Sequence, residues 1–201
     1  DPNVSGFYNR EKIIHSLNKD GYKINVQNID IKDYKEGKKF DLIFSVNVFE
    51  HVEHQYEYLL KSYSLLNKNG KNVILCPNYD FPYEPHFVIP IIFNKKITKS
   101  IFKSRIKKFE EKENEKGLWD GISLLGRKAI EKFLKQKNIS YSLDESVKTR
   151  MLKRLNTDAS FKERQGIAGT IAKICRLFLI DKFIFDFLKV PFPYMKLIIK
   201  K

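Results

Sequence analysis

Two stretches of the chain, FDLIFSVNVFEHV at Phe40–Val52 and LLNKNGKNVILCPN at Leu65–Asn78, carry the pattern that decides the fold. The first contains Asp41–Val48, a nearly continuous apolar run of the kind found in strands that are buried on both faces of a parallel sheet. In the second, an Asn-Gly pair predicts a turn, and Val73–Cys76 predicts another buried strand. Together the two stretches predict the inner strands of a sheet.

The segments around these strands alternate between helical and strand patterns. Gln55–Asn67 repeats apolar residues at intervals of three and four, which predicts an amphipathic helix. Upstream, Ser5–Asp20 predicts a helix and Lys23–Ile29 predicts a strand. This alternation is typical of an α/β fold with a doubly wound sheet, in which ligands bind at the carboxyl ends of the strands.

The second half of the chain has mostly helical patterns. Lys95–Lys116 and Ser123–Lys137 predict helices, and Ile139–Val147 predicts a strand because polar and apolar residues alternate there. Residues 148–190 have a helical pattern again. Tyr194–Lys201 predicts a final strand.

Length and composition fit a folded protein of one domain, because the chain has 201 residues, of which 42% are hydrophobic and 13% aromatic. The two cysteines, Cys76 and Cys175, lie in apolar runs, which favours reduced thiols in a core and a cytoplasmic location. The longest apolar stretch, Ile167–Ile180, is interrupted by Lys173 and Arg176. We therefore expect no segment that crosses a membrane.

The net charge of +14 lies almost entirely in the second half of the chain. It indicates a lysine-rich composition without functional meaning, an anionic membrane surface, or nucleic acid as a partner. Phe87–Phe93 and Ile167–Lys189 are apolar segments with adjoining lysines, a combination that is consistent with a peripheral membrane surface but ranks behind internal packing. The alternative is a helical subdomain that packs these apolar faces internally. Nucleic acid ranks behind both, because the basic residues are not interleaved with aromatic side chains.

The stretch Phe40–Asn78 resembles the region around the fourth and fifth strands of class I S-adenosylmethionine-dependent methyltransferases. The shared parts are a strand that opens with Phe-Asp, a Glu-His-Val turn, a helix, and a turn before the next strand. The resemblance implies a Rossmann-like sheet with its strands in the order third, second, first, fourth, fifth, seventh, sixth. It also implies S-adenosylmethionine as cofactor and methyl transfer as the reaction, and we expect an acceptor oxygen on a small molecule, a sugar or a lipid-linked precursor.

The first strand of that family and the glycine-rich turn after it have no counterpart in this sequence, because none of the nine glycines form such a cluster. They would lie upstream of Asp1. We therefore expect a fragment of a longer polypeptide, whose sheet lacks its first strands and which carries helical additions in the C-terminal half. The expected parts are a partial catalytic domain at residues 1–147, a helical insertion at 148–193, and the final strand of the catalytic domain at 194–201.

The resemblance also implies which residues contact the cofactor. Asp1 falls where an acidic side chain would accept hydrogen bonds from both ribose hydroxyls. Asp30 falls where a carboxylate meets the adenine amino group, and the backbone N–H of Ile31 would meet an adenine ring nitrogen. The segment Ser45–Val48, which contains Ser45, Val46 and Asn47, is expected to pass close to the methionine end of the cofactor.

A second set of polar side chains follows the first buried strand. Glu50 and His51 are followed by Glu53 and His54, a spacing that would place them on one face at the start of a helix. Three roles are open for His51: structural support of the strand end, a general base with Glu50 as its orienter, or a ligand of a divalent metal. His54 is expected to be solvated, and no metal-ligand set is assigned.

The loop Pro77–His86 is the other candidate site, because its three prolines make it rigid and its polar and aromatic side chains are unusual for a connector. We expect it to form a lid or substrate wall, or else to be structural. His86 is the alternative to His51 as the base that removes a proton from an acceptor hydroxyl. The alternative functions are a non-catalytic membrane- or partner-binding relative and an RNA methyltransferase.

Overall fold

The computed structural model describes residues 16, 19, 27, 29–35, 37–159 and 190–201, and it describes the side chains of all of these except 155 and 156. Asp1, Cys175 and the apolar segment Ile167–Lys189 lie outside these residues. So do the predicted helix at Ser5–Asp20 and the predicted strand at Lys23–Ile29, apart from single positions.

The described residues form six strands and six helices. The strands are β1 (Phe40–Val46), β2 (Leu66–Pro77), β3 (Tyr83–Glu84), β4 (Ile89–Pro90), β5 (Ser140–Leu143) and β6 (Tyr194–Lys200). The helices are α1 (Gln55–Ser64), α2 (Lys95–Ile101), α3 (Lys103–Glu113), α4 (Leu118–Gly121), α5 (Arg127–Gln136) and α6 (Ser146–Thr157). Short 3₁₀ turns lie at Ile31–Asp33 and Phe49–His51.

The main sheet has the strand order β1-β2-β6-β5. β1 and β2 are parallel, whereas β6 runs antiparallel to both β2 and β5. This is the order expected for the fourth, fifth, seventh and sixth strands of the Rossmann-like sheet, and it confirms the predicted α/β fold class. The predicted final strand is also confirmed, because Tyr194–Lys200 pairs with β2 along its whole length.

One apolar core joins α1 and α5 to the sheet. It includes Leu59 of α1, Leu134 of α5, Ile74 and Cys76 of β2, and Leu197 of β6, all at 1% exposure or less. The strand residues in this core are spaced by two, so they project from a single face. Burial of each large side chain contributes about 1.5–3 kcal/mol, and the core therefore fixes the helices that flank the carboxyl end of β1. The interpretation of Cys76 as a core thiol is confirmed.

β1 is not buried on both faces, so the prediction for Asp41–Val48 was wrong in this respect. Leu42, Phe44 and Val46 project to one face and are 57%, 70% and 52% exposed, whereas Ser45 on the opposite face is buried. The reason is that α1 and α5 pack on the opposite face of the sheet, and the core that they form includes none of these three side chains.

The helix and the strand around the predicted Asn-Gly turn meet earlier than the sequence indicates. The predicted helix Gln55–Asn67 ends at Ser64, and Leu66 already pairs with the first residue of β1. Asn69 has a left-handed φ of 68° inside β2, where the pairing with β1 is irregular. A Cβ at Gly70 would lie 2.9 Å from two backbone carbonyl oxygens, so only glycine fits there. The predicted turn is therefore a bulge within a longer strand.

The predicted strand at Ile139–Val147 ends earlier than expected, at Leu143. The carboxylate of Asp144 accepts the backbone N–H of Ser146 at 3.0 Å, and the chain continues directly into α6. A side chain that satisfies an unpaired amide in this way favours the start of a helix over the continuation of a strand.

Two predicted helices of the second half also have different bounds. The charged stretch Lys95–Lys116 is divided at Phe102 into α2 and α3. The predicted helix Ser123–Lys137 begins only at Arg127, and Ser123 before it donates its backbone N–H to the Glu50 carbonyl oxygen instead.

A second apolar cluster lies around α3 and α4 and includes Trp119, which is 1% exposed. Phe87 and Ile89 belong to this cluster at 2% and 0% exposure. These two are the buried residues of the segment Phe87–Phe93, so this part packs internally, as the helical-subdomain interpretation predicts, whereas Phe93 is 91% exposed. In the described part of the chain, no helix combines the length and the apolar character needed to cross a membrane.

Candidate active site

The Phe49–His51 turn follows β1 and is fixed from two sides. The side-chain amide of Gln55 donates to the Phe49 carbonyl oxygen at 2.7 Å, and the backbone N–H of Ser123 donates to the Glu50 carbonyl oxygen at 2.7 Å. Gln55 and Ser123 are themselves joined, because the Ser123 hydroxyl donates to Gln55 Oε1 at 2.8 Å. These bonds hold the turn at the carboxyl end of β1, the end at which ligands bind in α/β sheets.

Glu50 and His51 do not share a helix face with Glu53 and His54, contrary to the prediction. The turn ends at Val52, which is extended at φ −77° and ψ 123°, and α1 begins further along the chain. This break in the backbone separates the two pairs. His54 is exposed, as expected for a solvated side chain.

The first part of the loop after β2 is bound to the start of α5. The Oδ1 atom of Asn78 accepts the backbone N–H of Arg127 at 3.0 Å, and the Oδ2 atom of Asp80 accepts that of Lys128 at 2.9 Å. The N-cap residue of α5, Gly126, has no side chain that could satisfy these amides. A Cβ at Gly126 would lie 2.9 Å from the backbone nitrogen of Asp80, so glycine also permits this close contact. This part of the loop supports the fold.

The second part of the loop contains Glu84, which is completely buried in β3. Its Oε1 atom accepts the Tyr79 hydroxyl at 3.3 Å and lies 2.6 Å from Nδ1 of His86, while its Oε2 atom accepts the backbone N–H of Phe87 at 2.8 Å. Because a carboxylate only accepts hydrogen bonds, the Nδ1 atom of His86 carries a proton in this pair. The imidazole of His86 is thereby held with its Nε2 atom on the far side from Glu84.

The structure brings the three sequence-predicted catalytic residues, Glu50, His51 and His86, into one cluster. The Oε1 atom of Glu50 lies 3.8 Å from Nε2 of His86 and 4.0 Å from Nε2 of His51. The two imidazole rings meet edge to face, with their centroids 5.2 Å apart. Glu50 is 1% exposed, and within the described chain neither of its carboxylate oxygens has a hydrogen-bond partner.

The pKa values of these three groups move in different directions. Burial raises the pKa of Glu50 above its ordinary value. Burial also lowers the pKa of His51, and the neighbouring His86 lowers it further. Burial also lowers the pKa of His86. The hydrogen bond and the charge of Glu84, together with the charge of Glu50, have a larger effect in the opposite direction, so the pKa of His86 is raised. The lowered pKa keeps His51 neutral, and so able to accept a proton, over a wider pH range than His86, whose raised pKa favours the protonated form.

The predicted cofactor residues Ser45, Val46 and Asn47 lead directly into this cluster. Ser45 is buried, whereas Val46 and Asn47 are exposed at the end of β1. Asn47 has a left-handed φ of 51°, a conformation that asparagine tolerates better than most residues, and its backbone N–H donates to the Leu75 carbonyl oxygen at 2.9 Å. The chain turns away from the sheet at this residue.

Asp30 and Ile31 lie at the short turn beside α1. The carboxylate of Asp30 accepts the backbone N–H of Lys32 at 3.0 Å, and its side chain is 53% exposed, so it is accessible to a ligand. Ile31 packs against the main core. Asp1 lies outside the described residues.

Sequence reasoning missed the residues that support the cluster from outside the two candidate segments. Gln55 and Ser123 fix the turn, as described above. Tyr194 of β6 was also missed, and burial, followed by the charges of Glu50 and Glu84, raises the pKa of its hydroxyl. The sequence contained one signal, since Gln55 is a polar residue on the apolar face of α1 and is only 7% exposed.

A cavity of about 370 Å³ lies between the start of α5, the β5–α6 connection and the start of β6. Charged side chains form much of its wall, including Asp80, Lys128 and Asp144. In the described part of the chain, none of the three predicted catalytic residues lines it. The cavity and the cluster are therefore distinct features.

The chain is 32% identical over 136 residues to the uncharacterized proteins MT1557 and Rv1509 of Mycobacterium tuberculosis, strains CDC 1551 / Oshkosh and ATCC 25618 / H37Rv. The matched region covers 67% of this chain and 46% of each relative, so the chain spans about half the length of these curated proteins. The names of these two relatives state no function.

Two solved structures also show similarity over nearly the whole chain. The plantazolicin methyltransferase BpumL in complex with a pentazolic desmethylPZN analog and SAH is 15% identical, with 95% of this chain and 64% of that chain covered and a TM-score of 0.46. The mycolic acid cyclopropane synthase CmaA1 complexed with SAH and CTAB is 12% identical, with 96% and 67% covered and a TM-score of 0.49. Because both TM-scores are below 0.5, the fold of this chain is assigned from its own strand order and not from its similarity to these two structures. No family model matches the chain.

Proposed function

We propose that this chain is part of an S-adenosylmethionine-dependent methyltransferase that methylates an oxygen on a small molecule, a sugar or a lipid-linked precursor. The observation that carries the proposal is the cluster of Glu50, His51 and His86 at the carboxyl end of β1, in a sheet with the strand order of the family that the sequence resembles. The solved structures reported above contain SAH, the demethylated product of this cofactor. That agrees with the expected cofactor, although the proposal rests on the sheet order and the sequence.

In this proposal the cofactor lies across the carboxyl ends of the strands. Asp1 and Asp30 would bind the ribose hydroxyls and the adenine amino group, and the backbone N–H of Ile31 would bind an adenine ring nitrogen. Supporting this, the Asp30 carboxylate is more than half exposed at 53%. The methionine end would pass Ser45–Asn47, which leads into the cluster. The reactive methyl group would then lie near Glu50 and the two histidines.

Methyl transfer to a hydroxyl requires in-line attack on the sulfonium methyl group and removal of the hydroxyl proton. We propose that His51 accepts this proton. Burial lowers its pKa, which keeps the imidazole neutral, and 31% of its side chain is exposed and so accessible to the acceptor molecule. The carboxylate of Glu50, 4.0 Å away, would stabilise the charged imidazole that results. His86, which Glu84 holds in place, is the second candidate for the base.

A lipid-linked acceptor would require contact with a membrane surface, and one described surface has the necessary character. Phe93, just before α2, is 91% exposed, and Ile97 and Ile101 within α2 are 40% and 58% exposed, with the exposed Lys96 among them. Apolar side chains next to lysines favour binding in the interface of an anionic membrane. The Ile167–Lys189 segment, which the sequence predicts to contribute to the same surface, lies outside the described residues.

Cofactor binding separates an enzyme from a non-catalytic relative. Calorimetric titration of the full-length protein with S-adenosylmethionine should give saturable binding of one molecule per chain, and SAH should compete for the same site. Absence of binding to both would overturn the proposal. Tight RNA binding that weakens steeply with salt would instead favour the RNA methyltransferase, because such a slope reports neutralised phosphates.

A further inference from the structure

The cluster at the end of β1 contains two imidazoles and a buried carboxylate, but its three groups are too far apart for hydrogen bonds among them. We propose that Glu50, His51 and His86 bind one divalent transition-metal cation. The ligand atoms are a carboxylate oxygen of Glu50 and one ring nitrogen of each histidine, and the three atoms all lie within 4.8 Å of one another. Imidazole and carboxylate ligands in this combination are used for zinc and for other first-row cations.

The distances leave room for a cation between the three groups. The Nε2 atoms of His86 and His51 lie 3.8 Å and 4.0 Å from the Glu50 Oε1 atom. Ligands placed tetrahedrally at about 2.0–2.1 Å from zinc lie roughly 3.3 Å apart, so the gaps would close by about half an ångström. The third distance, between the ligand atoms of the two histidines, is also within 4.8 Å.

The burial of Glu50 is the second observation that points to a cation. In the described chain its two carboxylate oxygens have no hydrogen-bond partner, and the side chain is 1% exposed. Ser123 donates to the backbone carbonyl of Glu50 and not to its side chain. Buried charges are normally paired or coordinate a metal, and a cation between Glu50 and the histidines would compensate its charge directly.

Glu84 supplies the support that metal-bound histidines usually have. Its Oε1 atom lies 2.6 Å from Nδ1 of His86, which fixes the ring and leaves Nε2 facing Glu50. A histidine that ligates a metal through one nitrogen usually donates its other N–H to a carboxylate or carbonyl in this way. Glu84 itself is held by Tyr79 and by the backbone N–H of Phe87.

The site also has an accessible side. The side chains of His51 and His86 are 31% and 24% exposed, so a position on the cation opposite Glu50 would be open to water or to a hydroxyl. A bound cation would replace the role proposed above for His51, because a ring nitrogen that ligates the cation cannot also accept a proton. The cation would instead lower the pKa of such an oxygen and generate a nucleophile at neutral pH. This use of the metal rests on the proposed function, whereas the binding of the metal does not.

The test is a calorimetric titration of the full-length protein with Zn²⁺ after treatment with a chelator. We expect one zinc ion per chain and at least tenfold weaker binding in Glu50→Gln and in His86→Ala. Glu84→Gln, which disturbs only the support of His86, should weaken binding by about 10–100-fold. His54→Ala removes an exposed histidine outside the cluster and should bind zinc as the wild type does. Circular dichroism of each variant establishes that it is folded.

Two results would overturn the metal site: no stoichiometric zinc binding, or equal zinc affinity in the wild type and in folded Glu50→Gln. Titration of the same samples with S-adenosylmethionine distinguishes this failure from a failure of the proposed function. Cofactor binding without zinc binding would remove the metal site alone. Zinc binding without cofactor binding would retain the metal site and remove the methyltransferase.

Discussion

The Nε2 atom of His86 lies 3.8 Å from the Oε1 atom of Glu50, although His86 follows β3 and Glu50 belongs to the turn after β1. Two separate hydrogen-bond networks produce this contact. Glu84 holds one side of the His86 ring, and Ser123 holds the backbone of Glu50. Each network orients one partner independently, so the contact can be tested by changing either side.

Glu50→Gln should lower the pKa of His86 in the metal-free protein, because the charge of Glu50 is one of the groups that raise it. The pKa can be measured by NMR titration of the histidine ring protons. Glu53→Gln, at an exposed position next to the turn, is the matched control and should leave the pKa of His86 unchanged. A His86 pKa that does not respond to Glu50→Gln would show that Glu84 alone sets it.

His51→Ala should lower the rate of methyl transfer by about 10²–10⁴-fold, because an acceptor hydroxyl would then lack the group that takes up its proton. His54→Ala is the control, since His54 is exposed and lies outside the cluster. The measurement is transfer of labelled methyl groups from S-adenosylmethionine to the acceptor by the full-length protein. Affinity for the cofactor should remain close to that of the wild type. An undiminished rate would exclude His51 and leave His86 as the base.

Asp30→Ala should weaken S-adenosylmethionine binding by about 1.5–3 kcal/mol, because a charge-assisted hydrogen bond to the adenine amino group is lost. Asp1→Ala should have an effect of similar size through the ribose hydroxyls. Asp33→Ala, in the same short turn and also exposed, controls for the change in local charge. Calorimetry measures all three variants. Equal losses in Asp30→Ala and Asp33→Ala would contradict the direct contact.

Asp144→Asn should lower the stability of the fold at neutral pH. The hydrogen bond from Lys196, at 2.8 Å, and the bonds from Ser146 hold the pKa of Asp144 below its ordinary value. A carboxyl whose pKa is lower in the folded than in the unfolded chain stabilises the fold above the unfolded pKa, and this contribution is lost as the pH falls toward the folded pKa. The difference in unfolding free energy between wild type and Asp144→Asn should therefore shrink in acid.

Asp144→Ala extends this test because it also removes the oxygen that accepts the backbone N–H of Ser146, the first residue of α6. We expect Asp144→Ala to be about 1 kcal/mol less stable than Asp144→Asn, since asparagine retains a capping oxygen. Chemical denaturation at neutral and at acidic pH measures both variants. A difference between wild type and Asp144→Asn that stays constant with pH would show that the ion pair contributes nothing to stability.

Full-length protein should sediment with anionic vesicles and not with neutral ones, and part of this binding should persist at high salt because apolar side chains enter the interface. Lys96→Glu should weaken the binding by more than about 1 kcal/mol, the contribution of one basic residue near the surface. Lys68→Glu makes the same charge change at an exposed position away from α2 and is the control. Equal binding of both variants would exclude the α2 surface.

The central part of the fold could be predicted from the sequence because it depends on local periodicity. The run at Asp41–Val48, the amphipathic pattern at Gln55–Asn67 and the mostly apolar segment Tyr194–Lys201 each specify an element through its own side chains. Their bounds were less certain, because ends depend on contacts with other segments. The predicted strand at Ile139–Val147 ended early for this reason, since the Asp144 carboxylate bound an amide of α6.

The candidate residues of the site were predicted, but their arrangement was not. Glu50 and His51 were grouped with Glu53 and His54 because these are close in sequence, whereas the structure groups them with His86. The extended backbone at Val52 decided against the first grouping. Spacing along the chain describes a face only where the helix is continuous, and here the helix starts after the turn.

The sequence by itself determined the α/β class, the apolar segments that build the sheet, and the residue types available at the end of β1. Only the tertiary structure decided that Glu84 orients His86 toward a buried Glu50, and that β1 has one exposed face. The physical reason is that periodicity specifies which side of an element is apolar. It does not specify which distant side chain lies opposite, because that depends on how separate loops pack on a common core.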